Sequence, residues 1–148
     1  METNIHGLNI FPLKKISTPK GEVRHYIRST DPFFTKFGEV YFSITSVNEI
    51  KGWKFHKELT QLFTVQVGAV RFVFYDHREK SPTKGQFFEI EISQDKYQLI
   101  QVPPQLWYSF KTTSEVDSMI VNCTDIQHKP DECINIPLED STIPYQWK

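Results

Sequence analysis

Cysteine is scarce in this chain of 148 residues: Cys123 and Cys133 are the only two. Ten positions apart and without further thiols, they supply neither a disulfide framework nor a thiolate metal cage, and they read as two reduced cysteines. Excess charge is also missing, with 17 Lys and Arg against 18 Asp and Glu and a formal net charge of −1. That balance leaves no basic field for nucleic acid or an anionic membrane surface. No window approaches the roughly 18–20 apolar residues of a spanning helix. The first residues, Met1 to Phe11, interpose Glu2, Asn4 and His6 and lack the apolar run of a signal peptide. The chain is therefore expected to be soluble and cytoplasmic. Its length suits one domain, residues 1–148, because two halves would each be too small to bury a good core.

Aromatic residues are abundant: 12 Phe, 6 Tyr and 3 Trp, 14% of the chain. Such side chains fit a pleated surface, and wherever a period is visible it is two. Val40–Ile44, Gln61–Val67, Ala69–Tyr75, Phe87–Ile92, Tyr97–Val102, Trp107–Lys111 and Ser118–Cys123 read as strands. Phe87-Phe88-Glu89-Ile90-Glu91-Ile92 alternates apolar with acid, as a half-buried strand does. Turn chemistry fills the gaps at Thr18 to Gly21, Ser81 to Gly85, Ser93 to Asp95 and Pro103-Pro104. A short helical turn is expected near Pro130 to Cys133. The sum is an all-β sandwich, barrel or jelly roll. The tail from Pro137 carries Pro144, Tyr145 and Trp147, aromatics that are expected to pack back on the domain or on a partner.

Lys54-Phe55-His56 is followed after four residues by Gln61 and after six more by Gly68. This resembles the first cupin motif, His-x-His, three or four residues, Glu, six residues, Gly, and the resemblance implies a cupin jelly-roll barrel. Pro103 to Tyr108 falls where the second motif, Pro-x-Gly-x-x-His, belongs. Positions 54 and 56 share a strand face, so both should point inward, with position 61 brought into the same cavity by the next strand. The ligand places themselves hold Lys54, His56, Gln61 and Tyr108. One imidazole cannot anchor zinc or iron alone, so neither a metal nor any other cofactor is expected.

Longer stretches resemble the sugar-nucleotide cupins. Lys51-Gly52-Trp53-Lys54-Phe55-His56-Lys57-Glu58-Leu59-Thr60-Gln61 is similar to the Arg-Gly-x-His-Ala-His-Lys-x-Leu-x-Gln motif of dTDP-4-keto-6-deoxyhexose 3,4-ketoisomerases. Glu39-Val40-Tyr41-Phe42 resembles their strand with an active-site tyrosine. Asp76 to Gly85 matches the six fixed positions in ten of Asp-x-Arg-x-x-Ser-Pro-Thr-x-Gly, a motif of dTDP-4-dehydrorhamnose 3,5-epimerases. Val102 to Phe110 and Ile143 to Trp147 resemble further epimerase segments. The resemblance implies enolisation beside a sugar ketone: a base takes the acidic hydrogen, and a proton returns elsewhere or on the opposite face. Epimerases of this kind use a His held by an Asp, with a Tyr as acid; the ketoisomerases use the paired His and a nearby Tyr.

The departures decide the candidates. Lys54 stands for the first His, Tyr108 for the His of the second motif, Gln61 for the epimerase Lys, and Ile126 and Gln127 follow Cys123-Thr124 where a tyrosine donor is expected. Catalysis is therefore assigned to His56, Lys54, Tyr108 and Tyr41, and substrate binding to Lys51, Gln61, Arg71, Arg78 and Trp107. His6, His25, His77 and His128 read as surface or turn residues. Two functions follow from this reading. One is an epimerase or isomerase of a nucleotide-linked 4-keto-6-deoxy sugar, most simply dTDP-linked, in surface polysaccharide synthesis. The other is a sugar or sugar-nucleotide binding cupin without the acid–base pair. A homodimer is expected, with residues 1–20 as a strand exchanged between subunits, because small jelly rolls have edges to cover.

Overall fold

The computed structural model describes all 148 residues, and they form strands and turns without a helix. The elements are β1 (Asn9–Pro12), β2 (Lys15–Thr18), β3 (Gly21–Arg24), β4 (Glu39–Thr45), β5 (Ile50–His56), β6 (Gln61–Val67), β7 (Ala69–Tyr75), β8 (Phe87–Ser93), β9 (Gln98–Val102), β10 (Trp107–Thr112), β11 (Ser118–Thr124) and β12 (Cys133–Asn135). Two five-stranded sheets face each other, ordered β1-β9-β6-β11-β4 and β12-β5-β10-β7-β8, and every pairing is antiparallel. From β4 to β12 strands adjacent in sequence alternate between the sheets, except that β7 and β8 form a hairpin within the second sheet, which is the jelly-roll arrangement.

Alternation on each strand sorts side chains into layers. Phe63, Val65, Ile100, Val102 and Ile120 from the first sheet meet Val70, Phe72, Phe74, Ile92, Tyr108 and Phe110 from the second in the main core. The opposite faces are apolar as well. Trp53, Val73, Tyr75 and Trp107 are covered by Ile143, Tyr145 and Trp147, so the tail aromatics pack on their own domain. Phe33, Leu62, Leu99 and Cys123 form a smaller cluster behind the first sheet. The residues 130–132 make a turn into β12 rather than a helical one, closed by Glu132 N–H on Lys129 O.

The N-terminal segment packs against the first sheet. Residues 1–12 belong to the chain's own fold: β1 pairs with β9, and Ile5, Leu8 and Ile10 are buried in the main core. Only the β2–β3 hairpin pairs with no other strand. The segment is held partly by the loop between β7 and β8. Buried Asp76 accepts both Nε and Nη2 of Arg78 at 2.9 Å, Ser81 Oγ at 2.6 Å and Thr83 Oγ1 at 2.7 Å. Arg78 Nη2 then donates to His6 O, and His6 N–H donates to Thr83 Oγ1.

Two glycines are forced by geometry. Gly68 joins β6 to β7 at φ +72°, where a Cβ would lie 2.6 Å from Ser114 Oγ. At Gly38, just before β4, a Cβ would fall 2.4 Å from the Ile126 backbone.

Candidate active site

A cavity of about 210 Å³ opens between the sheets at the β4–β5–β12 end, lined among others by Tyr41, Lys51, Lys54, His56, Tyr108 and Cys133. β5 supplies three of these because it carries a bulge. Tyr108 on β10 is opposite Lys54 and Phe110 is opposite Lys51, so three steps on β5 match two on β10. The extra residue lets Lys51 face inward together with Lys54 and His56, while Trp53 points to the other layer and is fully buried there.

At the centre is a hydrogen-bonded chain. His56 Nδ1 is 2.6 Å from Glu132 Oε2, and His56 Nε2 is 3.2 Å from the Tyr108 hydroxyl. Tyr108 donates to Gln61 Oε1 at 3.2 Å. Asn122 Nδ2 donates to the same oxygen at 2.9 Å and to the Tyr41 hydroxyl at 2.8 Å. His56, Tyr108, Gln61, Asn122 and Glu132 are all buried, whereas Tyr41 is 37% exposed and forms the open end. Lys54 Nζ donates to Asn135 Oδ1 at 3.0 Å, which holds the ammonium at the cavity wall.

Electrostatics suit this order. Burial by itself would raise the Glu132 carboxyl, but the N–H groups of Glu58 and Leu59 and the His56 ring outweigh it and hold the group below the usual carboxylate range. An ionised carboxylate on Nδ1 fixes the tautomer and steadies a positive ring. Desolvation pushes the Tyr108 phenol well up and also raises Tyr41, against the Asn122 hydrogen bond that lowers it. Both are neutral hydroxyls near pH 7.

Sequence reasoning missed Glu132 and Asn122. Glu132 sits in a turn, outside any periodic pattern, and only the fold brings it 76 positions back to His56. Asn122 did carry a signal: it is the polar residue among Ile120, Val121 and Cys123 on a strand buried on both faces. His128, read as a surface residue, stands at the cavity rim.

Three proposed binding residues lie elsewhere. Arg71 points from the outer face of β7, its guanidinium 5.1 Å from the centre of the Trp147 ring. Trp107 packs in that same outer layer against Phe55, ring centres 4.9 Å apart. Arg78 is consumed by Asp76 and the His6 carbonyl. Each is committed to packing or loop structure and does not reach the cavity. A larger open groove of about 730 Å³ runs along the C-terminal tail, lined by residues such as Leu138, Asp140 and Tyr145, and it gathers no comparable acid–base set.

Jelly roll and cavity together define a sugar-nucleotide cupin. The family model described as dTDP-4-dehydrorhamnose 3,5-epimerase matches residues 3–148, and the chain belongs to that family, among the epimerases and isomerases of nucleotide sugars. A dTDP sugar isomerase from Desulfovibrio desulfuricans G20 is 38% identical, superposes with a TM-score of 0.97, and is matched over 99% of this chain and 94% of its own. The spore coat polysaccharide biosynthesis protein SpsL of Bacillus subtilis is 26% identical over 97% of this chain and 96% of its own. A probable low-salt glycan biosynthesis epimerase of Haloferax volcanii is 30% identical over 80% of this chain and 78% of its own.

Proposed function

We propose that the chain epimerises or isomerises a dTDP-linked 4-keto-6-deoxy sugar in the cytoplasm, for surface polysaccharide synthesis, by moving a proton next to the keto group. The observation that carries this reading is the buried Glu132–His56–Tyr108 chain ending in a cavity that also holds Tyr41 and two lysines. It supplies what enolisation needs: an imidazole with a free-energy sink for its positive form, a hydroxyl donor, and a cation for the enolate oxygen. His56 is the base, and Nε2 is the atom that ends up carrying the proton. Tyr41, the exposed hydroxyl, returns a proton to the sugar. Lys54 faces the developing enolate, and Lys51, on the same wall, meets the diphosphate. Gln61 does not touch the sugar; it holds Tyr108.

The substrate class follows the relatives, one of which is named a dTDP sugar isomerase and another a glycan biosynthesis epimerase. The test is deuterium uptake from D₂O into dTDP-4-keto-6-deoxyglucose, read by mass spectrometry. His56→Asn should slow uptake by roughly 10²-fold or more, as loss of a general base does. Wild-type protein that binds the sugar nucleotide but exchanges nothing would instead be a sugar-nucleotide binding cupin.

We further propose that the chain works as a homodimer. β4 is an edge strand of the first sheet, and its outward Val40, Phe42 and Ile44 are 42%, 63% and 54% exposed. The unpaired β2–β3 hairpin is the piece available to cover that edge in a second copy.

A further inference from the structure

We infer that Gln61 and Asn122 are positioning residues that tie the direction of the Tyr41 hydroxyl to the protonation of His56. The inference deepens the proposed reaction and rests on that reading for its catalytic meaning, but the coupling itself is a property of the empty cavity.

It comes from counting donors along the chain. Gln61 Oε1 receives N–H from Asn122 at 2.9 Å and O–H from Tyr108 at 3.2 Å. Tyr108 has one hydroxyl proton for two partners at 3.2 Å, and Gln61 Oε1, which can only accept, is satisfied when it takes that proton. The contact to His56 Nε2 must then be an N–H donated by the ring to the Tyr108 oxygen. On the other side Nδ1 faces a carboxylate that can only accept. Both ring nitrogens are donors, so this arrangement belongs to a protonated His56. At the far end Asn122 donates to Tyr41, which leaves the Tyr41 proton free to point into the cavity.

A neutral His56 favours the reverse. With Nε2 bare, Tyr108 donates to it, and its oxygen would then face Gln61 Oε1 at 3.2 Å. Two facing lone pairs repel, so Gln61 gains by presenting its N–H group to Tyr108 and to Asn122, with Asn122 presenting its oxygen to Gln61 and to Tyr41. The Tyr41 proton is then spent on Asn122, and the cavity sees a lone pair. An amide turned by half a rotation keeps its volume, so both arrangements fit the same packing. Nor do the surroundings of Asn122 choose between them. Its Oδ1 is buried with no partner, and the turned amide would place an equally orphaned N–H group there. The proton on His56 therefore sets the balance.

The consequence for catalysis is an ordering. When His56 is neutral and able to take a proton, Tyr41 cannot give one to the sugar. Once His56 is charged, Tyr41 becomes a donor. The titratable groups that face His56 are Glu132 from the turn before β12, Tyr108 from β10, Cys133 opposite it on β12 and Lys54 on its own strand. Tyr41, Lys51 and His128 face it from around the cavity.

The test uses the ligand-free full chain, so its outcome is independent of which sugar is turned over. His56 ring ¹⁵N shifts and the Tyr41 ¹³Cζ shift are followed by NMR from pH 5 to 9. The expected result is one common midpoint for both signals in wild type. In Asn122→Ala His56 still titrates, but the Tyr41 step is lost. Should Asn122→Ala fail to fold, Gln61→Met cuts the chain one link earlier and is expected to give the same loss. The inference is overturned if His56 keeps one protonation state across the range, or if Tyr41 ignores its midpoint in wild type. It is overturned equally if the Tyr41 step survives the cut, because the field of the charge would then suffice.

Discussion

His56 was the residue most exposed to misreading, since one imidazole in a barrel is as easily a packed core residue as a base. What distinguishes it is Glu132, whose carboxylate takes Nδ1 at 2.6 Å and is itself pinned by the Glu58 and Leu59 N–H groups at 3.0 and 3.2 Å. Glu132→Gln keeps the shape but replaces a charge-assisted partner with an amide that no longer steadies a positive ring. Deuterium exchange should fall by roughly 10²-fold while sugar-nucleotide binding, measured calorimetrically, changes little. Equal loss of binding and turnover would mean that Glu132 only supports the turn. The inward places of His56, Lys54, Gln61 and Tyr108 were legible in sequence because motif spacing plus strand alternation locates them. Glu132 was not, because a residue in a turn has no period to betray it. Arg71, Arg78 and Trp107 lie outside the cavity, and the sequence did not show this because charge and aromaticity mark a ligand contact and a packing contact alike.

At the scale of elements, period two was a sound guide wherever a strand was regular and failed where one was not. β6, β7, β8, β10 and β11 lie where alternation puts them, within a residue or two. β5 escapes the rule, since its bulge sets Lys51 inward, where unbroken alternation from His56 would turn it outward. The short β1, β2, β3 and β12 of three or four residues are too brief for a period to show. The Asp76–Gly85 loop illustrates how a specific motif can be structural. Its Asp gathers Arg78, Ser81 and Thr83 and anchors the N-terminal segment, which places Ile5 and Leu8 in the core. Burial alone would raise the Asp76 carboxyl, yet the hydrogen bonds from Arg78, Ser81 and Thr83 carry it far below the usual carboxylate value. A carboxyl lowered on folding stabilises the fold fully above its unfolded value near pH 4, and that contribution fades as pH falls toward the folded value. Asp76→Ala should therefore cost about 3 kcal/mol at pH 7, measured by urea unfolding, because it strands Arg78 and two hydroxyls. The difference from wild type should shrink steadily below pH 4. A difference independent of pH would show that packing, not the carboxylate, carries the loop.

At the scale of the whole molecule, β4 is an edge strand with an apolar outer face. No helix is long and apolar enough to cross a membrane. On β4 the side chains alternate between two roles: Tyr41 and Ser43 line the cavity, whereas Val40, Phe42 and Ile44 face outward. An edge strand with such a face is a template for another chain unless something covers it. Burying three such side chains on each of two subunits stabilises association by several kcal/mol, on the order of 1.5–3 kcal/mol for each fully covered side chain. That is comparable with the 4–15 kcal/mol lost in tethering two bodies, and the hairpin's main-chain pairing adds to it. Phe42→Glu places a charge in the centre of this face while leaving a residue that is already 63% exposed free to hydrate in the monomer. Wild type should sediment as a dimer at micromolar concentration and Phe42→Glu as a folded monomer with an unchanged β-sheet circular dichroism spectrum. Because Tyr41 is the neighbour of Phe42 on the same strand, freeing this edge should also loosen the donor, so the monomer should lose turnover by about tenfold although His56 and Glu132 are untouched. A wild-type chain that sediments as a monomer would refute the dimer, and a monomeric variant with full turnover would show that the donor strand is rigid without a partner.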